Sequence, residues 1–234
     1  MSSLFVVRHG QASFQGPHYD QLSPLGERQA QALAAWWCSH DVRWDYVFIG
    51  PKKRHRQTAE AAAAVFEAAG LPFPEPVMLP AFDEHHGASV VKQALSNDHD
   101  NEDQAALLPG HIRKQADVDA YFRRFQEITT AWVAGSHTSE FETWQAFRAR
   151  VDAGLLEVTR QAGRGARSVV FSSGGPVAVT TGAALKLSDQ AVLEMSWKVR
   201  NGAYSECIYQ DTRLTLLSHN ATPGFADKAL MTFI

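Results

Sequence analysis

Three apolar runs in this chain of 234 residues end in side chains able to grip or attack an anion. The first leads to Arg8-His9-Gly10, the second passes through Pro51 to Arg54, and a later one closes on Ser172-Ser173-Gly174-Gly175. Arginine offers a planar fork of donors that matches phosphate oxygens. An imidazole with one ring nitrogen free is nucleophilic near neutral pH. A glycine turn that opens a helix adds backbone N–H groups facing an anion. Singly these are ordinary: Arg54 would be a solvated helix residue and Gly174-Gly175 a tight turn. Their conjunction implies a site for a phosphoryl group.

For the three stretches to meet, the runs must be strands of one sheet, because open α/β sheets bind ligands beyond the carboxyl ends of their strands. The pattern supplies such strands. "SLFVVRH" and "DYVFIG" are short, apolar and rich in β-branched residues, as buried parallel strands are. "SPLGERQAQALAAWWCSH" reads as a helix with Ser23 as N-cap and Pro24 at its first position. "PKKRHRQTAEAAAAVFEAAG" reads as a second, running from Pro51 to Gly70. A short strand is expected near Val77–Leu79, then amphipathic helices at about Asp117–Ala134 and Phe141–Gln161. The last third returns to alternation: strand "SVVFSS", helices from Pro176 to Leu185 and from Asp189 to Met195, and two strands that pair as a hairpin. This predicts a three-layer α/β/α sandwich on a mostly parallel sheet. One domain spans 1–234, interrupted at about 84–140 by an inserted helical cap. Trp36 and Trp37 are expected in the core.

Composition excludes several classes. A hydrophobic content of 45% with 20% charged residues fits a folded globular protein. The net charge of −3 gives no basic footprint for nucleic acid, so "KKRHR" (Lys52–Arg56) is read as a helix start. Cys38 and Cys207 make neither a disulfide framework nor a zinc spacing and suit a reducing compartment. The apolar N-terminal run is too short for a signal peptide and no window reaches a membrane span, which predicts a cytoplasmic protein without membrane partners. "SNDHDNEDQ" (Ser96–Gln104) lacks the glycine and glutamate of a calcium loop and reads as a solvated loop. No metal or cofactor is called for.

"VVRHGQASF", "LSPLGERQAQAL" and "GPKKRHRQTAEA" together resemble the histidine phosphatase superfamily, with its phosphoglycerate-mutase-like fold. The likeness covers roughly the first ninety residues and resumes around Val169–Asn201. It implies that His9 is the nucleophile, passing through a phosphohistidine, and that Arg8 and Arg54 bind phosphoryl oxygens. Glu84 would protonate the leaving oxygen, with Asp83 the alternative, a carboxyl there suiting acid–base work on condition that burial raises its pKa. Gln11 is a candidate substrate contact, and the backbone N–H groups of Gly174 and Gly175 complete the phosphate turn.

One departure stands out. Where the family usually has Ser-His-Gly-Gly, this chain has Ser173 in the histidine's place, which looks like a subgroup trait. A serine donates a hydrogen bond but carries no charge. Losing a charged donor costs on the order of 3–4 kcal/mol in comparable sites, about 10²–10³ in rate. His85, His86 and His219 are candidate replacements, while His55 reads as structural or solvent-facing. The expected function is a phosphomonoester hydrolase, weakened by Ser173, acting on a small phosphorylated substrate or a phosphoprotein. The alternatives are a catalytically impaired phosphate-binding member of the fold and, ranked below the phosphatase, a mutase-type phosphotransferase. Oligomeric state is left open.

Overall fold

A computed structural model describes residues 1–13, 20–97, 115–136, 140–210 and 213–233. Most of the acidic stretch Ser96–Gln104, part of the joint "GSHTSE" and the two residues between the last strands lie outside the described residues.

Leu4, Phe5, Val6 and Val7 are buried on both faces of strand β1 (Ser2–Arg8), as a central parallel strand requires. The other strands are β2 (Tyr46–Ile49), β3 (Val77–Met78), β4 (Arg167–Ser172), β5 (Tyr204–Gln210) and β6 (Arg213–Ala221). They form one six-stranded sheet in the order β3-β2-β4-β1-β5-β6. The first four are parallel, whereas β5 and β6 join antiparallel as the expected hairpin, so the sheet is mixed.

Register places the candidate residues side by side. Arg8 on β1 pairs with Ser172 on β4, and Ile49 on β2 pairs with Phe171. Each strand therefore runs out at the same edge, where the His9 N–H donates to the Ser172 carbonyl at 2.8 Å and the Gly50 N–H to that of Phe171 at 2.9 Å.

Helices α1 (Pro24–Ser39) and α2 (Lys53–Ala68) cover one face. Their Leu33, Ala34, Trp37, Ala59, Ala62 and Phe66 pack on Phe5, Val7, Val47, Ile49, Val169 and Phe171. Trp37 is fully buried and Trp36 packs against that core. Ser23 caps α1, accepting from the Gly26 N–H at 3.1 Å. α2 starts at Lys53, two residues past Pro51, where the Asp20 carboxylate accepts from the Lys53 N–H at 3.0 Å.

Two compact units are distinguished: Met1–Glu84 with Arg150–Ile234, and His85–Ala149. The second holds α3 (Gly87–Asn97), α4 (Gln115–Val133) and the first residues of α5 (Trp144–Ala162). Its buried side chains include Val90, Val91, Leu95, Ile128, Trp132, Trp144 and Phe147. α3 was not expected from sequence, although Val90, Val91 and Leu95 carry a helical repeat. In the first unit follow α6 (Gly174–Leu185), buried from Gly174 to Gly182 and packed on β1, β5 and β6, and α7 (Asp189–Ser196). Among the described residues no helix is long and apolar enough to cross a membrane.

The loop leaving β1 presses on the first turn of α1. A Cβ on Gly10 would stand 2.2 Å from the Gly26 carbonyl oxygen, and one on Gly26 2.2 Å from that of Gln11. Only glycine permits this approach, which fixes His9 and Gln11 relative to α1. Gly26→Ala is expected to cost about 1–3 kcal/mol in urea unfolding; an unchanged midpoint would show that the two backbones do not touch.

Candidate active site

His9 leaves the end of β1 and is buried, only 4% exposed. Its Nδ1 lies 2.6 Å from the Gly10 carbonyl, an acceptor, so Nδ1 carries the proton. Its Nε2 accepts from the Arg54 Nε–H at 3.0 Å, so Nε2 carries a lone pair. The ring is thus a neutral imidazole with Nδ1 tied to backbone and Nε2 turned to the arginine. Burial, the Arg54 and Arg8 guanidiniums and, less strongly, His55 hold its pKa well below the ordinary 6.5, outweighing the Gly10 hydrogen bond.

The spacing Arg54-x-x-Gln57-Thr58 on α2 has a physical meaning. Thr58, one turn on, donates to the Arg54 carbonyl at 2.7 Å and accepts from the Gly10 N–H at 3.2 Å. Gln57 accepts from the Leu22 N–H at 2.9 Å. Two neighbouring residues of α2 therefore hold the loop after β1 and the approach to α1. The Arg54 guanidinium, 6% exposed, also pairs with Asp20 at 2.9 Å. Asp20 was not picked out in the sequence, since an acid at such a position is indistinguishable from a surface residue without the fold, and Gln57 and Thr58 entered only within the stretch "GPKKRHRQTAEA", with no role of their own. Arg8, at the end of β1, reaches back to donate to the Val199 carbonyl, and its Nε would lie 3.8 Å from a Cβ on Gly174.

Ser173 is fully buried at the N-cap of α6, yet its hydroxyl makes no capping bond. It lies 2.7 Å from His55 Nε2, with Arg54 Nη2 at 3.5 Å. Of the two readings of His55, structural or solvent-facing, this corrects the second: it is fully buried, and burial and Arg54 lower its pKa well below 6.5. Basic neighbours on both sides kept an exposed place open, but a helix turns 100° per residue and sends adjacent side chains to different faces. The other candidate replacements have neighbours of their own. His85 is ringed by Trp132, Trp144 and Phe147 and His86 stacks on Phe141, all within the second unit. His219 contacts Ser205 at 2.8 Å and Thr181 at 3.2 Å.

Glu84 supplies the acceptor that Ser173 does not, taking the Gly175 N–H on its Oε2 at 3.2 Å. Asp83 faces another way, pairing with Lys52 at 3.3 Å. Their backbone is fixed by Arg150, which donates to the carbonyls of Ala81 at 2.8 Å and Asp83 at 3.2 Å, and by Ser172, which donates to that of Phe82 at 2.7 Å. Gln11 accepts from the Ser23 hydroxyl at 2.9 Å, and its N–H donates to Gln29 at 2.7 Å. Among the described residues no group of three or more His, Cys, Asp or Glu is arranged to hold a metal ion.

The profile of the histidine phosphatase superfamily (branch 1) matches residues 4–104 and 110–222. The chain belongs to this superfamily. Its fold agrees: it superposes on a mutant phosphoserine phosphatase from Entamoeba histolytica in complex with phosphoserine, with TM-score 0.66 and 17% identity over 96% of this chain and 99% of that one. A phosphoglycerate mutase from Bacillus anthracis str. Sterne gives 0.62 and 17% over 96% and 95%. A mycobacterial glucosyl-3-phosphoglycerate phosphatase in complex with inorganic phosphate gives 0.59 and 20% over 95% and 98%. No curated protein matches the chain significantly. The phosphoglycerate-mutase-like α/β architecture expected from sequence is thus the one found.

Two neutral, buried histidines make folding pH-dependent. Above pH 6.5 His9 and His55 are uncharged in both states and add nothing to the slope. As pH falls below 6.5 the unfolded chain takes up protons that the folded one refuses, so stability declines. Thermal melts between pH 7.5 and 5 are expected to show this fall, with a shallower slope in His55→Asn; an identical slope would remove His55 as a source.

Proposed function

We propose that this protein is a phosphomonoester hydrolase working through a phosphohistidine on His9. The observation that carries the reading is the neutral His9 ring, whose Nδ1–H is tied to the Gly10 carbonyl while the Nε2 lone pair faces Arg54. A nucleophile must keep such a lone pair at working pH, and the lowered pKa keeps it well into the acid range.

In this mechanism His9 Nε2 attacks phosphorus and the bond to the leaving oxygen breaks. Glu84, as the carboxylic acid, gives its proton to the departing alkoxide. Water then attacks the phosphohistidine, its proton passes to the Glu84 carboxylate, and inorganic phosphate leaves as the Nε2 lone pair is restored. The Arg8 and Arg54 guanidiniums and the backbone N–H of Gly174 at the start of α6 bind the phosphoryl oxygens, whose charge grows in the transition state. The arginines supply positive charge without a metal step. The site is read as taking a small phosphorylated molecule; phosphoserine and inorganic phosphate are what two of the structural neighbours bind. The free thiols Cys38 and Cys207 suit a cytoplasmic setting.

Turnover of p-nitrophenyl phosphate is expected to fall by about a thousandfold or more in His9→Ala. Acid-labile radiolabel from a labelled phosphoester should be trapped on the parent protein and not on that variant. Glu84→Gln retains an acceptor for Gly175 but has no acidic proton to give, so it should slow alkyl phosphates by about 10²–10⁴ and p-nitrophenyl phosphate far less. Equal activity in the parent and His9→Ala would end the hydrolase reading.

A further inference from the structure

We propose that His55 is a positioning residue of the phosphoryl site, acting through the hydroxyl of Ser173 to present a neutral hydrogen-bond donor to a phosphoryl oxygen. The inference rests on the phosphotransfer reading above and adds a residue to it. Three observations carry it. Ser173 forgoes the capping bond that a serine at a helix N-cap normally makes, and its hydroxyl turns to His55 Nε2 at 2.7 Å. The capping acceptor for α6 is supplied by Glu84 instead. Arg54, which already contacts His9 Nε2, reaches the same serine oxygen with Nη2 at 3.5 Å, so His9, Arg54, Ser173 and His55 form one connected group. The two imidazole centroids are 5.8 Å apart.

Hydrogen-bond capacity then decides what the pair offers. A serine hydroxyl has two acceptor sites and one donor. Arg54 can only donate to it. When His55 carries its proton on Nε2 it also donates, both acceptor sites are filled, and the hydroxyl proton is left for a third partner. An anionic oxygen selects that tautomer, because it needs a donor. His55 Nδ1 lies against Gly50, where a Cβ would come within 2.4 Å of it, so the ring cannot swing away on that side. The groups facing His55 are Arg54, the Gly50 backbone, Lys52, Ser173 and His9; none is an acid that would make it a cation, and although the Gly50 backbone draws a proton towards Nδ1, that atom meets no partner with hydrogen-bond geometry.

The same geometry makes imidazoles at 55 and 173 mutually exclusive, since His55 Nε2 already occupies the space beyond the Ser173 oxygen. The test compares the parent protein with His55→Ala, His55→Gln, Ser173→His and His55→Ala/Ser173→His. It reads p-nitrophenyl phosphate turnover, calorimetric binding of inorganic phosphate and melting temperature. His55→Ala should lose about tenfold in kcat with a smaller change in KM, and Ser173→His should be impaired by crowding. The double variant should exceed both singles, and His55→Gln, whose amide reaches the serine, should exceed His55→Ala at equal melting temperature. A merely structural histidine predicts none of these recoveries. A double variant no better than its worse parent while still folded, or full kcat and phosphate affinity in His55→Ala, overturns the proposal. If parent turnover does not depend on His9, the hydrolase reading falls by itself. Phosphate affinity then judges the pair: about a tenfold loss in His55→Ala sustains it, and no change refutes it.

Discussion

The site depends on keeping one imidazole uncharged between two permanent cations. Burial does most to keep His9 uncharged, and Arg54 and Arg8, close beside it, push its proton off further. Burial acts by penalising the imidazolium, which loses its hydration. Orientation comes from the Gly10 carbonyl, which takes the one proton the ring retains. A histidine in water would point and titrate freely, whereas this one has a single tautomer and a single direction.

Much of the surrounding structure serves that arrangement. Parallel pairing of β1 with β4 and of β4 with β2 brings three strand ends to one edge, and the backbone N–H of His9 completes the ladder. Gly10 and Gly26 let the loop after β1 rest on α1, while Thr58 ties that loop to the helix carrying Arg54. Excess positive charge is met locally, because Asp20 pairs with the Arg54 guanidinium. A buried cation without such a partner would be costly.

Polar groups around α6 show the same economy. The helix start needs acceptors for its first N–H groups. Glu84 meets one of them, which releases the Ser173 hydroxyl for His55. His55 stays neutral for the reasons that keep His9 neutral, burial and a neighbouring guanidinium. The loop that bears Glu84 is in turn held by Arg150 and Ser172 through backbone carbonyls. Each group at the site is therefore braced by contacts from a different part of the chain.

Sequence alone determined what local patterns can encode. Apolar runs ending in Arg8-His9 and Ser172-Ser173, the cap at Ser23-Pro24, and the order of strands and helices follow from side-chain periodicity and turn chemistry. Those are properties of neighbours in the chain. The Arg54-x-x-Gln57-Thr58 spacing was visible too, although its meaning required the carbonyl of Arg54 and the N–H of Gly10. Tertiary structure alone decided which partners meet over long separations. It set Glu84 rather than Asp83 at the start of α6, and Asp20 on Arg54. It brought beside Ser173 the imidazole of His55, from another segment. Hydrogen bonds and burial act through space and leave no period in the sequence, so for a histidine between two basic residues a structural and a solvent-facing place stayed equally open until the fold turned it inward.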